Sequence, residues 1–385
     1  MIVGIVKEIF LGELRVALVP SVIPNLKKAG YEVIMETGAG ERAGFSDTEY
    51  QEKGAQVGSS REDVLERADI LALVRWHSGD VPGGNEIGRL RKGQVVIGLL
   101  DPWDNKDDIN KMAEKGVTAF ALELLPRITR AQSMDILSSM ATVAGYKAVI
   151  LAAEALPKMF PLLMTAAGTI TPARVLVIGA GVAGLQAIAT ARRLGAVVNA
   201  YDIRPAVKEQ VESLGAKFVE LPLEIKDAET SSGYARAMDE EFYRRQRELM
   251  ARVVAESDVV ISTASVPGKK APVLITAEMV RGMHAGSVIV DLAAAQGGNC
   301  EVTKAGETTK LDNITIIGPT NLAATIPRDA SQMFARNITN FLLHIIGDDG
   351  KLRFDADDQI IKETMVTRGD KSPVGSAVSS SPPRQ

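Results

Sequence analysis

The stretch "RVLVIGAGVAGLQAIATARRLGAVVNAYD", residues 174–202, leaves little freedom in how its part of the chain can fold. An apolar run leads into Gly179, Gly181 and Gly184 in G-x-G-x-x-G spacing, followed by an apolar-periodic segment, a second apolar run and Asp202. That order predicts a strand, a tight turn, a helix and a parallel strand ending in an acid, the dinucleotide-binding βαβ unit. Gly179 permits the turn, Gly181 lets a pyrophosphate approach the backbone, and Gly184 lets helix and strand pack closely. The helix N-terminus supplies N–H groups and partial positive charge for the phosphates. Asp202 is placed to accept from a ribose 2′-OH, which favours NAD over NADP because its charge repels a 2′-phosphate. Arg204 could neutralise such a phosphate, stack on adenine or be solvated.

The rest of the chain follows the same alternation. "IVGIV", "YEVIME", "ADILALV", "GQVVIGLL" and "GVTAFALEL" read as strands of one α/β lobe, and "RVLVIG", "VVNAYD", "DVVISTA", "SVIVDLA" and "ITIIGP" as strands of a second. Strands alternating with helices pair in parallel, since parallel strands need crossovers. The expected fold class is α/β, with two Rossmann-like, doubly wound parallel-sheet domains joined by long helices. The expected boundaries are 1–126 with 345–365 for an N-terminal domain, 127–344 for a nucleotide-binding domain with its linking helices, and 366–385 for a flexible tail rich in Ser, Pro and Gly. "SMDILSSMATVAGYKAVILAAEAL" reads as one linking helix. A length of 385 residues with 46% hydrophobic residues is enough for two cores. With net charge -4 and scattered Lys and Arg, nucleic acid is not an expected partner. One Cys and three separated His exclude a disulfide framework and give no metal spacing. Lys147, Glu154 and Lys158 interrupt the longest apolar region, so a soluble chain is expected.

"RITRAQSMDILSS", residues 127–139, is a polar cluster between apolar segments. Gln132, Asp135 and Ser138 are three apart and are expected on one face of a helix start, with Arg127 just ahead. Helix capping by Ser133 or Asp135 stays open as the alternative. Around Gly233-Tyr234 a Ser/Gly-rich segment reads either as a lid over bound nucleotide or as a solvated loop. "STASVPGKKAP", "DLAAAQGGNC" and "GPTNLAAT" follow strand ends, where a ligand would lie, but could be connections. His77, His284, His344 and Cys300 read as packed, capping or loop residues.

"LELLPRITRAQSMDILSS", "TAAGTITPARVLVIGAGVAGLQAIATARRLGA", "VPGKKAPVLIT" and "DLAAAQGGNC", with "VGIVKE" and "LRVALVP" near the start, resemble the NAD(H)-binding alpha subunit (domain I) of proton-translocating nicotinamide nucleotide transhydrogenase. The resemblance spans nearly all of residues 1–345. It implies a two-lobed homodimer at the cytoplasmic face of a membrane, docked on proton-channel subunits and on a partner domain that binds NADP(H). Hydride would pass directly between NAD(H) and NADP(H), coupled to proton movement. It also implies that Arg127 and Gln132 address the nicotinamide, that Asp135 and Ser138 hold its ribose, and that Gln132 and Asp135 serve the reaction. Further NAD(H) contacts implied are Ser133, Val182, Ile203, Gln246 and Ser265, with Gly233 and Tyr234. Alanine dehydrogenase resembles the chain in "KE", "RVALVP" and the glycine loop, yet it needs a Lys and a His where Arg75 and Asp101 stand here. Arg15 matches a carboxylate binder of that enzyme. A non-catalytic NAD-binding protein is the third reading.

Overall fold

The computed structural model describes residues 1–77, 86–220, 240–265, 269–347, 349–355 and 357–369. The chain divides into two compact units, Met1–Met140 with the chain from Ala323 onward, and Ala141–Leu322. The sequence pattern puts these boundaries at 127 and 345 instead.

In the first unit, β1 (Ile2–Ile5), β2 (Glu32–Glu36), β3 (Gln56–Gly58), β4 (Ile70–Arg75), β5 (Val95–Leu99) and β6 (Thr118–Ala121) are all parallel. The strand order is β3-β2-β1-β4-β5-β6, closed at the edge by β16 (Met365–Thr367), which runs antiparallel to β6. Val366 is buried, and the Thr367 hydroxyl donates to the Val117 carbonyl at 2.7 Å. Residues 366 and 367 thus belong to the sheet and not to the expected tail, because an apolar and a β-branched residue satisfy the open edge of β6.

In the second unit, β9 (Arg174–Ile178), β10 (Val197–Tyr201), β11 (Lys217–Phe218), β12 (Val259–Ser262), β13 (Val288–Asp291) and β15 (Ile314–Ile317) are parallel, in the order β11-β10-β9-β12-β13-β15. β14 (Thr308–Leu311) adds an antiparallel edge. Separate from this sheet is a hairpin of β7 (Leu163–Thr165) and β8 (Gly168–Ile170), unforeseen from sequence because its strands are three residues long. Both sheets reverse direction of winding beside their first strand, the switch point at which doubly wound folds bind ligands.

Five helices position the residues of interest: α1 (Ile136–Ala155), α2 (Val182–Arg193), α3 (Glu240–Ala255), α4 (Ala277–Arg281) and α5 (Pro327–Ile345). α1 has 20 residues and a mean hydropathy reaching 1.6, long and apolar enough to cross a membrane by length and composition alone, a test that a core helix also passes, and it contains Lys147 and Glu154. Within the second unit, Ala148, Val149 and Ala152 of α1 share a core with Ala187, Ile188 and Ala191 of α2. The two helices approach so closely that a Cβ on Gly145 would stand 2.1 Å from the Ala183 carbonyl oxygen. α5 returns to the first unit, burying Phe334, Ile338, Phe341, Leu342 and Ile345.

Candidate functional site

At the end of β9 the three glycines have different backbone surroundings. Gly179 has φ +97°, a left-handed conformation that side chains resist, and the Thr263 hydroxyl donates to its carbonyl at 3.0 Å. A Cβ on Gly184 would lie 1.8 Å from the same carbonyl, so the first turn of α2 rests directly on the strand end. Gly181 is the N-cap of α2, and a Cβ there would meet nothing within 4 Å. The loop therefore has one open face, at Gly181 and the partly exposed Val182, where the first N–H groups of the helix lack intrahelical acceptors.

Asp202, buried at the end of β10, binds this loop directly. Its Oδ2 accepts the Ala180 N–H at 2.7 Å. Arg204 folds back on the same carboxylate, its backbone N–H and Nε reaching Oδ1 and its Nη2 reaching Oδ2, each at 2.9 Å. Four donors already converge on this carboxylate. A ribose hydroxyl has to share or displace one Arg204 contact. Ile203, between them, packs into the core under β10. Gln246 on α3 is 1% exposed; its Nε2 donates to the Tyr201 hydroxyl at 2.8 Å, and its Oε1 is buried without a hydrogen bond. Ser265 is exposed just beyond β12. Gly233 and Tyr234 lie outside the described residues.

The polar cluster departs from its expected geometry. Thr129–Met134 is a 3-10 helix, Asp135 is extended, and α1 starts only at Ile136. Gln132, Asp135 and Ser138 hence do not share one helix face. Asp135 caps α1: Oδ1 accepts the Ser138 N–H at 2.9 Å and Oδ2 the Ser138 hydroxyl at 2.5 Å. The helix begins here because the carboxylate satisfies the Ser138 N–H, which has no acceptor within the first turn. Ala131 and Met134 anchor the 3-10 turn by burial, while the Ser133 carbonyl accepts from Asn337 and Asn340 of α5, both at 2.9 Å. Arg130 and His344 share Asp358, at 3.1 and 3.0 Å. This clamping leaves Arg127, Gln132 and Ser133 exposed.

Also in the first unit, Arg75 pairs with Asp101 at 3.6 Å and lies over the Phe10 ring at 4.2 Å. Arg15 is buried in a two-pronged pair with Glu13, both contacts at 2.7 Å. Two buried carboxyls beside these strands have no signature in the sequence, since only the fold makes their surroundings. Burial pushes Glu8 up to about 7 despite the N–H groups of Val74 and Arg75 that it accepts. Burial also raises Glu123 to about 7, where it accepts the Asp101 N–H. A folded state holding a Glu8 proton that the unfolded chain releases near 4.5 loses stability as pH rises from there to about 7. Glu8→Gln is expected to flatten that slope in urea unfolding; an unchanged slope would contradict the burial effect. No group of three or more metal-ligating side chains occurs among the described residues.

Known proteins share this fold. Residues 4–144 match the model of the alanine dehydrogenase/PNT N-terminal domain, and residues 148–372 that of the alanine dehydrogenase/PNT C-terminal domain. The chain belongs to the alanine dehydrogenase/PNT family. It is 46% identical to an NAD(P) transhydrogenase alpha-subunit chain of Rhodospirillum rubrum, over 96% of each chain. The solved transhydrogenase structure from Sinorhizobium meliloti matches with TM-score 0.85 and 45% identity, covering 97% of this chain and 100% of that one. An L-alanine dehydrogenase structure matches with TM-score 0.81 but 26% identity, covering 98% of both. Within the alanine dehydrogenase/PNT family, identity leans to the transhydrogenase side.

Proposed function

We propose that this chain is the NAD(H)-binding subunit of a proton-translocating NAD(P) transhydrogenase. The observation that carries the reading is the open face at Gly181 beside Asp202, in a chain 46% identical to a transhydrogenase alpha subunit. The phosphate loop would take the pyrophosphate, Asp202 the adenosine ribose, and Asp135 and Ser138 the nicotinamide ribose, with Arg127 and Gln132 at the nicotinamide. The nicotinamide supplies the hydride chemistry. Transfer to NADP(H) on a partner domain makes or breaks no O–H or N–H bond at the reacting carbons, so the protein's task is to orient and to exclude water. Because Arg204 is held on Asp202, it is not poised for a 2′-phosphate, which favours NAD(H). An amino acid oxidoreductase is disfavoured: Arg75, paired with Asp101, stands where that enzyme needs a Lys, and Glu13 occupies Arg15.

The remaining parts of the proposal are a homodimer and attachment, from the cytoplasmic side, to membrane proton-channel subunits. Met159, Leu162, Met164 and Ile170, at and beside the hairpin, are 44–75% exposed. An apolar group of this kind favours a second copy of the chain. The test uses the purified chain. It should sediment at about twice 41.1 kDa, bind NADH more tightly than NADPH in fluorescence titrations, and transfer hydride only when mixed with the membrane and NADP(H)-binding components of a transhydrogenase. Alanine-dependent NAD reduction by the chain alone would replace this reading with the amino acid oxidoreductase.

A further inference from the structure

We infer that Asn299 is a positioning residue for the nicotinamide half of the nucleotide, acting through the backbone at Ala264 and Ser265. This rests on the nucleotide-binding reading above and adds a residue to it.

The Asn299 side chain holds the segment after β12 at two points. Asn299 is fully buried; its Oδ1 accepts the Ala264 N–H at 3.0 Å and its Nδ2 donates to the Ala264 carbonyl at 2.8 Å. The same Nδ2 donates to the Pro272 carbonyl at 2.9 Å. One amide thus satisfies both polar groups of Ala264, as a neighbouring strand would, at the point where β12 has ended. Asn299 is itself fixed by Asp291 at the end of β13. The fully buried Asp291 carboxylate accepts the N–H groups of Ala293, Asn299 and Cys300 and the hydroxyls of Ser262 and Thr303, at 2.8–3.0 Å. Five donors hold this carboxylate still, and Asn299 passes its position to Ala264.

Which half of the ligand this serves follows from strand order. Asp202 ends β10, on one side of β9, and the phosphate loop ends β9 itself. A dinucleotide whose adenosine ribose is at Asp202 and whose pyrophosphate is at Gly181 continues over the ends of β12 and β13. Ala264 and the exposed Ser265 stand there. Thr263 connects the two halves, since its hydroxyl bonds the Gly179 carbonyl while the next residue is held by Asn299.

Asn299→Asp keeps the shape and the acceptor for the Ala264 N–H, but turns a carboxylate oxygen toward two carbonyls. The expected result is an NADH dissociation constant raised about 10-fold or more, with that for ADP, which lacks the nicotinamide half, changed less than about 2-fold. Thr276→Ala removes the N-cap of α4 in the same unit and serves as a control that lowers melting temperature without separating the two ligands. A second measurement needs no variant: in the unmutated chain, the Ala264 and Ser265 amides should gain exchange protection with NADH and not with ADP. Equal loss of both ligands in Asn299→Asp, or no loss of either, would overturn the inference, as would equal protection by the two ligands. An unmutated chain that binds neither NADH nor ADP would instead remove the nucleotide-binding reading beneath it.

Discussion

Gly184→Ala is expected to cost both fold and ligand, whereas Gly181→Ala is expected to cost the ligand alone. At Gly184 the new Cβ would lie 1.8 Å from the Gly179 carbonyl oxygen, and that atom belongs to backbone fixed by β9 and Thr263, so it cannot rotate away. The helix must lift off the strand. Overpacking of this kind costs about 1–3 kcal/mol or somewhat more, which lowers the melting temperature of a domain this size by about 5 °C or more. Displacing α2 also removes its N–H groups from the phosphates, so NADH affinity should fall at least about 100-fold. At Gly181 a Cβ meets nothing within 4 Å, and the backbone there is already in an ordinary extended conformation. Its methyl would occupy only the space needed by the pyrophosphate. Differential scanning calorimetry and NADH titration of the two variants test this pair. Gly181→Ala binding NADH as the unmutated chain does would remove the assignment of this loop to phosphate.

Gln132→Asn is expected to slow hydride transfer by about 100-fold with little change in NADH affinity, because small misplacements of reacting groups weigh on rate more than on binding. Gln132 is exposed on a 3-10 turn whose backbone is fixed by Asn337 and Asn340, so the shorter side chain changes reach without moving its support. Asp135 allows a cleaner separation, since it has a structural duty visible in its bonds to Ser138. Asn caps a helix about as well as Asp, so Asp135→Asn should leave stability nearly unchanged. Should Asp135 also accept from the nicotinamide ribose, that variant weakens NADH binding all the same, while Asp135→Ala additionally loses about 1 kcal/mol of stability. Dissociation constants for the chain and transfer rates for the reconstituted complex are the needed measurements. If Gln132→Asn loses affinity and rate in equal proportion, Gln132 anchors the nucleotide and does not orient it.

The sequence by itself determined the parts of this protein that are local. Gly179, Gly181 and Gly184 could be assigned a turn, an open approach and a close packing contact because each duty depends on neighbours within a few residues. The parallel strands could be read from apolar runs because both of their faces are covered. What only the tertiary structure decided are pairings between residues far apart in the chain. Apolar pattern and helix propensity extend α1 back through Asp135, yet the bonds from α5 to Ser133 hold Thr129–Met134 in a 3-10 turn and make Asp135 a cap. Arg204 is ambiguous in the sequence, since its long side chain could reach a phosphate, an adenine or water; the fold places it on Asp202. Asn299 and Asp291 read as parts of a connection after a strand, and nothing within several residues of either marks a role. Asp291 gathers four of its donors from its own connection, but Ala264, Pro272 and Ser262 come from another strand and its following segment, and hydrogen bonds across such separations leave no periodicity in sequence. Only the side-by-side packing of β12 and β13 brings those donors and acceptors together.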